Sequence, residues 1–238
     1  ALLLAMVANS NTYVNYKETK SIMFAIACAC IWIGLLNSVQ EICKEKVILQ
    51  KEHMADLKLS AYLLSKFIVQ GILAFIQSTL LISIFQGIAG KSDYSLLIDG
   101  YWDIQITCFL TILSAATLGL FISALVKNSN IAMIIIPLIL VPQLLLSGML
   151  FELEGFGNFV SKFILCKWTM EGLGASVNLN ELPQPIQLIY PSAEVETYSE
   201  FAFTSEHMIQ VISIIGVMTF VLLIASYFVL RKNVNKNM

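Results

Sequence analysis

Three groups of residues in this 238-residue chain have the types and spacing of chemical sites. Gly90-Lys91-Ser92 copies the end of a phosphate-binding loop, in which backbone amides and a lysine cradle a phosphate. The full pattern is G-x-x-x-x-G-K-[ST] between a strand and a helix, but Phe85 stands where its first glycine belongs and an apolar run precedes it. The segment reads as a turn. Ser147-Gly148 with His207 offers the nucleophile and base of an intramembrane serine protease. Leu145 occupies the position two before the serine where a small residue is needed, and His207 sits at the edge of an apolar run. Five cysteines and two histidines complete the set of soft ligands. Cys28 and Cys30 diverge on a helix, so they form no metal pair, and only Cys166 lies outside the apolar runs on the side opposite Cys43, as a buried thiol or a bridge between two copies.

The elements that position these residues follow from composition. The chain is 58% hydrophobic and 13% charged, with a mean hydropathy of +0.79, which excludes an ordinary soluble enzyme. Its formal net charge of -2 gives no basic surface for nucleic acid. Crossing a hydrocarbon core of about 30 Å takes roughly 20 residues of helix. Five stretches free of Asp, Glu, Lys and Arg meet that length: 21–40, 67–90, 104–126, 131–151 and 208–230. Residues 1–8 are apolar but too short to span, and read as the outer end of a sixth span whose remainder lies upstream, with a free amphiphilic terminus as the alternative. The spans contain no carboxylate or lysine for a proton relay, so any active transport draws its energy from elsewhere.

Basic residues set the orientation. Lys44, Lys46, Lys51, Lys58, Lys127, Arg231, Lys232 and Lys236 fall on one side, against Lys17, Lys20, Lys91, Lys162 and Lys167 on the other. The positive-inside rule therefore puts 41–58 in the cytoplasm and 152–207 outside, in a multi-pass protein of the cell membrane. Segment 41–58 mixes Ile42, Val47, Ile48, Leu49, Met54 and Leu57 with charges in a helical amphipathic pattern. Segment 152–207 begins with Phe156, Phe159, Val160, Phe163, Ile164, Leu165 and Trp168 at helical spacing, interrupted by glycines, which predicts short helices dipping into the outer leaflet. Pro183, Pro185 and Pro191 mark the rest as an external loop.

Three motifs carry a family resemblance. Glu41-x-x-x-Glu45-Lys46, with Lys51-Glu52-His53-Met54, leads into Ser60-x-Tyr62-x-x-Ser65-Lys66 at the head of the third span. Leu145-Leu-Ser-Gly-Met-Leu-Phe151 makes an apolar Ser-Gly turn, and Lys167-Trp-Thr-Met-Glu-Gly-Leu173 follows it. In this order and spacing they resemble the transmembrane domain of type-2 ABC exporters, most nearly the G-subfamily and the bacterial half-transporters that carry the ATPase ahead of the membrane domain. The resemblance implies an all-α membrane protein with six transmembrane helices, an amphipathic cytoplasmic elbow and short outer re-entrant helices. It also implies a second transmembrane domain, as a homodimer or a pair of similar chains, around a central cavity in the lipid bilayer. ATP and Mg would sit on an ATP-binding domain outside this chain, either upstream on the same polypeptide or on a separate subunit; this chain binds neither and is no complete enzyme. Glu45, Lys46, Lys51 and Glu52 would couple to that domain. By register with the family, Ile26, Ala29, Cys30, Ile33, Pro137, Leu140, Val141 and Leu144 would line the cavity, with Met149 and Leu150 as the exit plug. Each is also ordinary helix packing. Ile33 replaces an aromatic ring found in the family's multidrug exporter, and the outer loop lacks the several cysteines of animal members, which fits a bacterial form. The expected function is ATP-driven outward movement of an amphiphilic or apolar molecule by alternating access. The competing class is a membrane receptor or scaffold without transport.

Overall fold

Backbone amides in hydrocarbon have no water to bond, so each uncharged run must close its hydrogen bonds internally. The computed structural model describes residues 12–90, 94–151, 153–184 and 198–236, and among them there is no strand. The helices are α1 Tyr16–Ser38, α2 Glu41–Met54, α3 Leu59–Ala89, α4 Gly100–Leu125, α5 Ser129–Leu145, α6 Phe156–Ser161, α7 Leu165–Ser176 and α8 Ser205–Lys236. The expectations for residues 1–8, for Lys91-Ser92 and for most of the proline-rich loop lie outside the described residues.

Four helices are long and apolar enough to cross a membrane. They are α1 together with α2 (Tyr16–Met54, 39 residues), α3 with 31, α4 with 26, and Ser205–Val234 of α8 with 30. The elbow follows its span after a break of two residues, Val39 and Gln40. The fifth apolar stretch differs from its expected length, because 131–151 is helical only to Leu145. The 17 residues of α5 rise about 26 Å, less than a hydrocarbon core. Pro137 and Pro142 lie inside it, and the chain then turns at Ser147-Gly148, where Gly148 has φ of 77°, a conformation favourable only to glycine. Ser147 Oγ donates to Leu144 O at 2.7 Å and accepts from Met149 N at 3.2 Å, which closes that turn as its motif predicts.

Helix α4 is the centre of the bundle and packs on α1, α3, α7 and α8. Its contact with α1 is a crossing of small residues, with Gly34 and Ser38 on one side and Ala115, Ala116 and Gly119 on the other. Spacing of small-x-x-x-small lets two backbones approach where lipid offers no hydrophobic drive to associate them. Hydroxyls complete the packing: Thr111 and Thr169 join α4 to α7 at 2.9 Å, and the Asn37 amide donates to Gln77 Oε1 of α3 at 2.8 Å. Asp103, in the first turn of α4, is fully buried and accepts the amides of Leu96, Leu97 and Ile98, tying the preceding loop to the helix. Three amide donors on one carboxylate offset the cost of burying it.

Candidate functional site

The charged elbow is assembled by three helices. Glu41 and Glu45 are four residues apart and share a face of α2; Tyr62 and Lys66, also four apart, share a face of α3. The turn at 55–58 brings those faces together. Lys66 Nζ lies 2.7 Å from Glu45 Oε1 and 3.1 Å from Glu41 Oε2, and Tyr62 Oη donates to Glu45 Oε2 at 2.8 Å. Ser123 Oγ of α4 accepts the Ile42 and Cys43 amides at 2.9 and 3.0 Å, satisfying orphan donors at the start of α2. Ile42 and Leu49 pack in a second apolar cluster with Leu59, Leu63, Leu120, Ala124, Leu230 and Val234. Lys46 Nζ and the Asn233 amide donate to the Val126 and Ala124 carbonyls at 3.5 and 2.8 Å, so the end of α4 is held by both α2 and α8.

This geometry divides the four expected coupling residues. Glu45 and Lys46 turn inward and brace the elbow against the bundle. Lys51 and Glu52 are exposed, next to the exposed apolar side chains of Val47, Ile48 and Met54. A helix end with apolar and charged side chains open together is suited to receive another protein.

The expected cavity residues also separate. Ile26 and Cys30 are fully enclosed between the helices of this one chain, and Leu140 is buried. Ala29, Ile33 and Leu144 are half-buried, while Pro137 and Val141 are exposed. On α1 the open face is centred on Trp32 and Leu36, one step of about 100° round the helix from Ile33. Trp32 is 48% exposed and was not among the expected residues, though an aromatic adjoining the family's aromatic position is a signal that sequence offers. Met149 is half-buried and Leu150 exposed, beyond the Ser-Gly turn.

At that end of the bundle Met149 and Leu150 border a cavity of about 460 Å³ shared with Lys20, Lys167, Tyr198 and Glu200. Lys167 Nζ pairs with Glu200 at 3.1 Å and Glu171 at 3.6 Å. The Lys20 ammonium lies over the Tyr16 and Tyr198 rings, 5.5 and 5.8 Å from their centroids. Burial pushes the Glu171 carboxyl up to about 7, with Lys167 opposing and Glu200 adding to the rise. Because the folded state holds this proton more tightly than the unfolded chain, the stability it confers is complete below pH 4.5 and is lost as pH rises to about 7. Thermal unfolding of the wild type should therefore weaken over that interval relative to Glu171→Gln; parallel pH profiles for the two proteins would remove Glu171 from the titration.

The remaining motifs resolve into structure. His207 Nε2 donates to Glu200 O at 3.0 Å, and Ser147 is spent on its turn, so neither is set as base or nucleophile toward the other. Cys166 is fully buried, its amide donating to Gln143 Oε1 at 3.1 Å; it does not face a second copy. Its enclosure comes from α7 packing against α1 and α5.

A helical bundle with four span-length apolar helices, a fifth shorter one and charges gathered at the helix ends defines a multi-pass membrane protein. The chain matches the family described as ABC-2 type transporter over residues 2–177, and it belongs to that family. It is similar to the ABC transporter ATP-binding/permease protein Rv1747 of Mycobacterium tuberculosis, at 24% identity over 179 residues. That match covers 71% of this chain and 20% of the relative, so the chain spans about a fifth of the relative's length. Family membership agrees with the span-length apolar helices in placing the chain in a membrane.

Proposed function

We propose that this chain is the membrane-spanning half of an ATP-driven exporter of bacterial type, acting as a homodimer in the cell membrane and moving an amphiphilic or apolar substrate outward by alternating access. The elbow lies in the cytoplasm and 152–207 outside, as the distribution of lysines favours. ATP and Mg belong to an ATP-binding domain beyond this chain, as the name of the mycobacterial relative suggests for that protein.

The observation that carries the reading is the elbow itself. A helix that follows α1 after two turn residues projects exposed Val47, Ile48, Lys51, Glu52 and Met54 while Glu41 and Glu45 lock its other side to α3. Force applied at the exposed face would reach α1 and α3 together. The open faces of α1 and α5, carrying Ala29, Ile33, Pro137, Val141 and Leu144, are the surfaces two copies would enclose. The inward Ile26, Cys30 and Leu140 would then support that wall rather than touch substrate.

Vanadate-sensitive ATP hydrolysis by the native full-length polypeptide, purified alone in lipid nanodiscs, tests the energy source. Activity is the expected result and places the ATPase on the same polypeptide. No hydrolysis, with or without a co-purified ATP-binding subunit, would defeat the exporter reading.

A further inference from the structure

A cavity of about 660 Å³ lies at the elbow end of the bundle, away from the braced carboxylates and the expected substrate surfaces. It is walled by His53 of α2, Asp56 and Lys58 of the α2–α3 turn, Ser60 of α3, and Tyr227 and Arg231 of α8. His53 Nδ1 donates to Leu57 O at 2.9 Å, and Asp56, at φ of 69°, makes the tight reversal that opens the turn toward α8. Lys58 and Arg231 are both exposed, and among the described residues neither lies within ion-pair distance of a carboxylate. The one acid in the wall, Asp56, leaves the cavity with a net positive charge.

The helix surfaces above the cavity say what chemistry would fill it. On α3, Ser60, Leu64 and Ile68 follow at intervals of four and are all exposed. On α8, Ile224, Phe228 and Arg231 share one exposed face. Each apolar stripe is lipid-facing by its exposure on a spanning helix, and each ends in a polar residue of the same cavity. Tyr227 stands at that boundary, where an amphipathic ring is favoured. A ligand matching this layout has an anionic head and two apolar tails lying along α3 and α8.

We infer that this cavity is a binding site for the phosphate headgroup of an anionic phospholipid, with Lys58 and Arg231 as its cationic contacts, Ser60 and Tyr227 as neutral donors and the acyl chains on Leu64, Ile68, Ile224 and Phe228. The site rests on the membrane setting of the chain and not on the transport reading, and it fastens the α2–α3 turn to α8 through a lipid where, among the described residues, no direct ion pair does so.

The test uses the full-length polypeptide in nanodiscs of equal phosphatidylglycerol and phosphatidylcholine, extracted gently, with retained lipids counted by native mass spectrometry. Wild type should retain phosphatidylglycerol over phosphatidylcholine by about thirtyfold, the size expected of two surface cations. The pair Lys58→Gln with Arg231→Gln should bring that ratio close to one at unchanged thermal stability. Lys58→Arg should preserve it, as should the equal charge loss Lys44→Gln with Lys127→Gln elsewhere on the same end. No preference in the wild type would overturn the site, and so would an equal loss in the Lys44 and Lys127 pair. Displacement of the lipid by millimolar inorganic phosphate would assign the cavity to a soluble anion and overturn the lipid assignment. Loss of ATP hydrolysis in the Lys58 and Arg231 pair without a lipid preference in the wild type would make the cavity a protein contact instead.

Discussion

Gly34→Leu should yield almost no folded protein. A Cβ at this position would stand 2.7 Å from Ala115 Cβ and 2.8 Å from the Ala116 amide nitrogen, and the Ile112 carbonyl is closer still. Two of those three obstacles are backbone atoms of α4, the helix on which every other long helix packs, so no rotamer change relieves the clash. Overpacking that displaces a backbone costs about 3 kcal/mol or more, a large part of the stability of a typical domain. Gly34→Ala should already lower the unfolding midpoint, because the first added carbon is the one that collides. Gly216→Ala is the control: nothing lies within 4 Å of a Cβ there, and the helix gains from the better former. Size-exclusion profiles and thermal unfolding in detergent separate the three, and a Gly34→Leu protein that is monodisperse with the wild-type midpoint would refute the close crossing.

Lys66→Glu carries the second-largest expected effect. It would set a third carboxylate against Glu41 and Glu45, which now lie 3.1 and 2.7 Å from the ammonium. The side chains of these two acids are 39% and 42% exposed, so screening trims the energy of the pairs in place to about 1 kcal/mol or less each. Reversal removes both attractions and adds two repulsions, for an expected loss of about 2 kcal/mol that shrinks in high salt. Glu45→Ala should lose less, about 1 kcal/mol, by stranding the Tyr62 hydroxyl as well as half of the lysine's pairing. Glu52→Ala should leave the midpoint unchanged, because its side chain is exposed and outside every ion pair among the described residues. On the proposed function, both alanine variants of the full-length protein should reduce ATP hydrolysis several-fold, one by loosening the elbow and the other by weakening the proposed contact with an ATP-binding domain. Equal midpoints for Glu45→Ala and Glu52→Ala would show that the brace contributes nothing.

Most of the helix positions are legible in the order of residues, because a charge in hydrocarbon costs more than nearly any other local preference gains. The gaps in charge at 21–40, 67–90, 104–126 and 208–230 fall, within a residue, inside the long helices. The stretch 131–151 passes the same test, yet its two prolines and Ser-Gly turn shorten the helix, and hydropathy is blind to both. Asp103 escapes notice because it sits one residue outside an uncharged run; its burial depends on how Leu96, Leu97 and Ile98 wrap back onto it. Faces are harder to read than spans. Registering α1 on its charged elbow identifies the helix but leaves open which side meets α4, and that choice is made by Gly34 and Ser38 seating against Ala115 and Gly119. Ile26 and Cys30 consequently go inward and Trp32 outward. The elbow falls between these cases. The spacing of Glu41 with Glu45 and of Tyr62 with Lys66 gives two polar faces, whereas their meeting depends on the reversal at Asp56, whose left-handed backbone no periodicity announces.

The run Tyr16–Met54 is two helices jointed at Val39–Gln40, and the 14 residues of α2 rise about 21 Å beyond that joint. Turned by about 10° about the joint, α2 sweeps Met54 through roughly 4 Å and Glu45 through about 1 Å. Motion at the exposed tip is thus geared down toward the joint, so an Ångström of play where Lys66 grips Glu45 becomes about three at Met54. The tightness of that grip sets the backlash of the whole elbow, because the carboxylates that clamp it stand close to the joint, where looseness is smallest in distance and largest in angle.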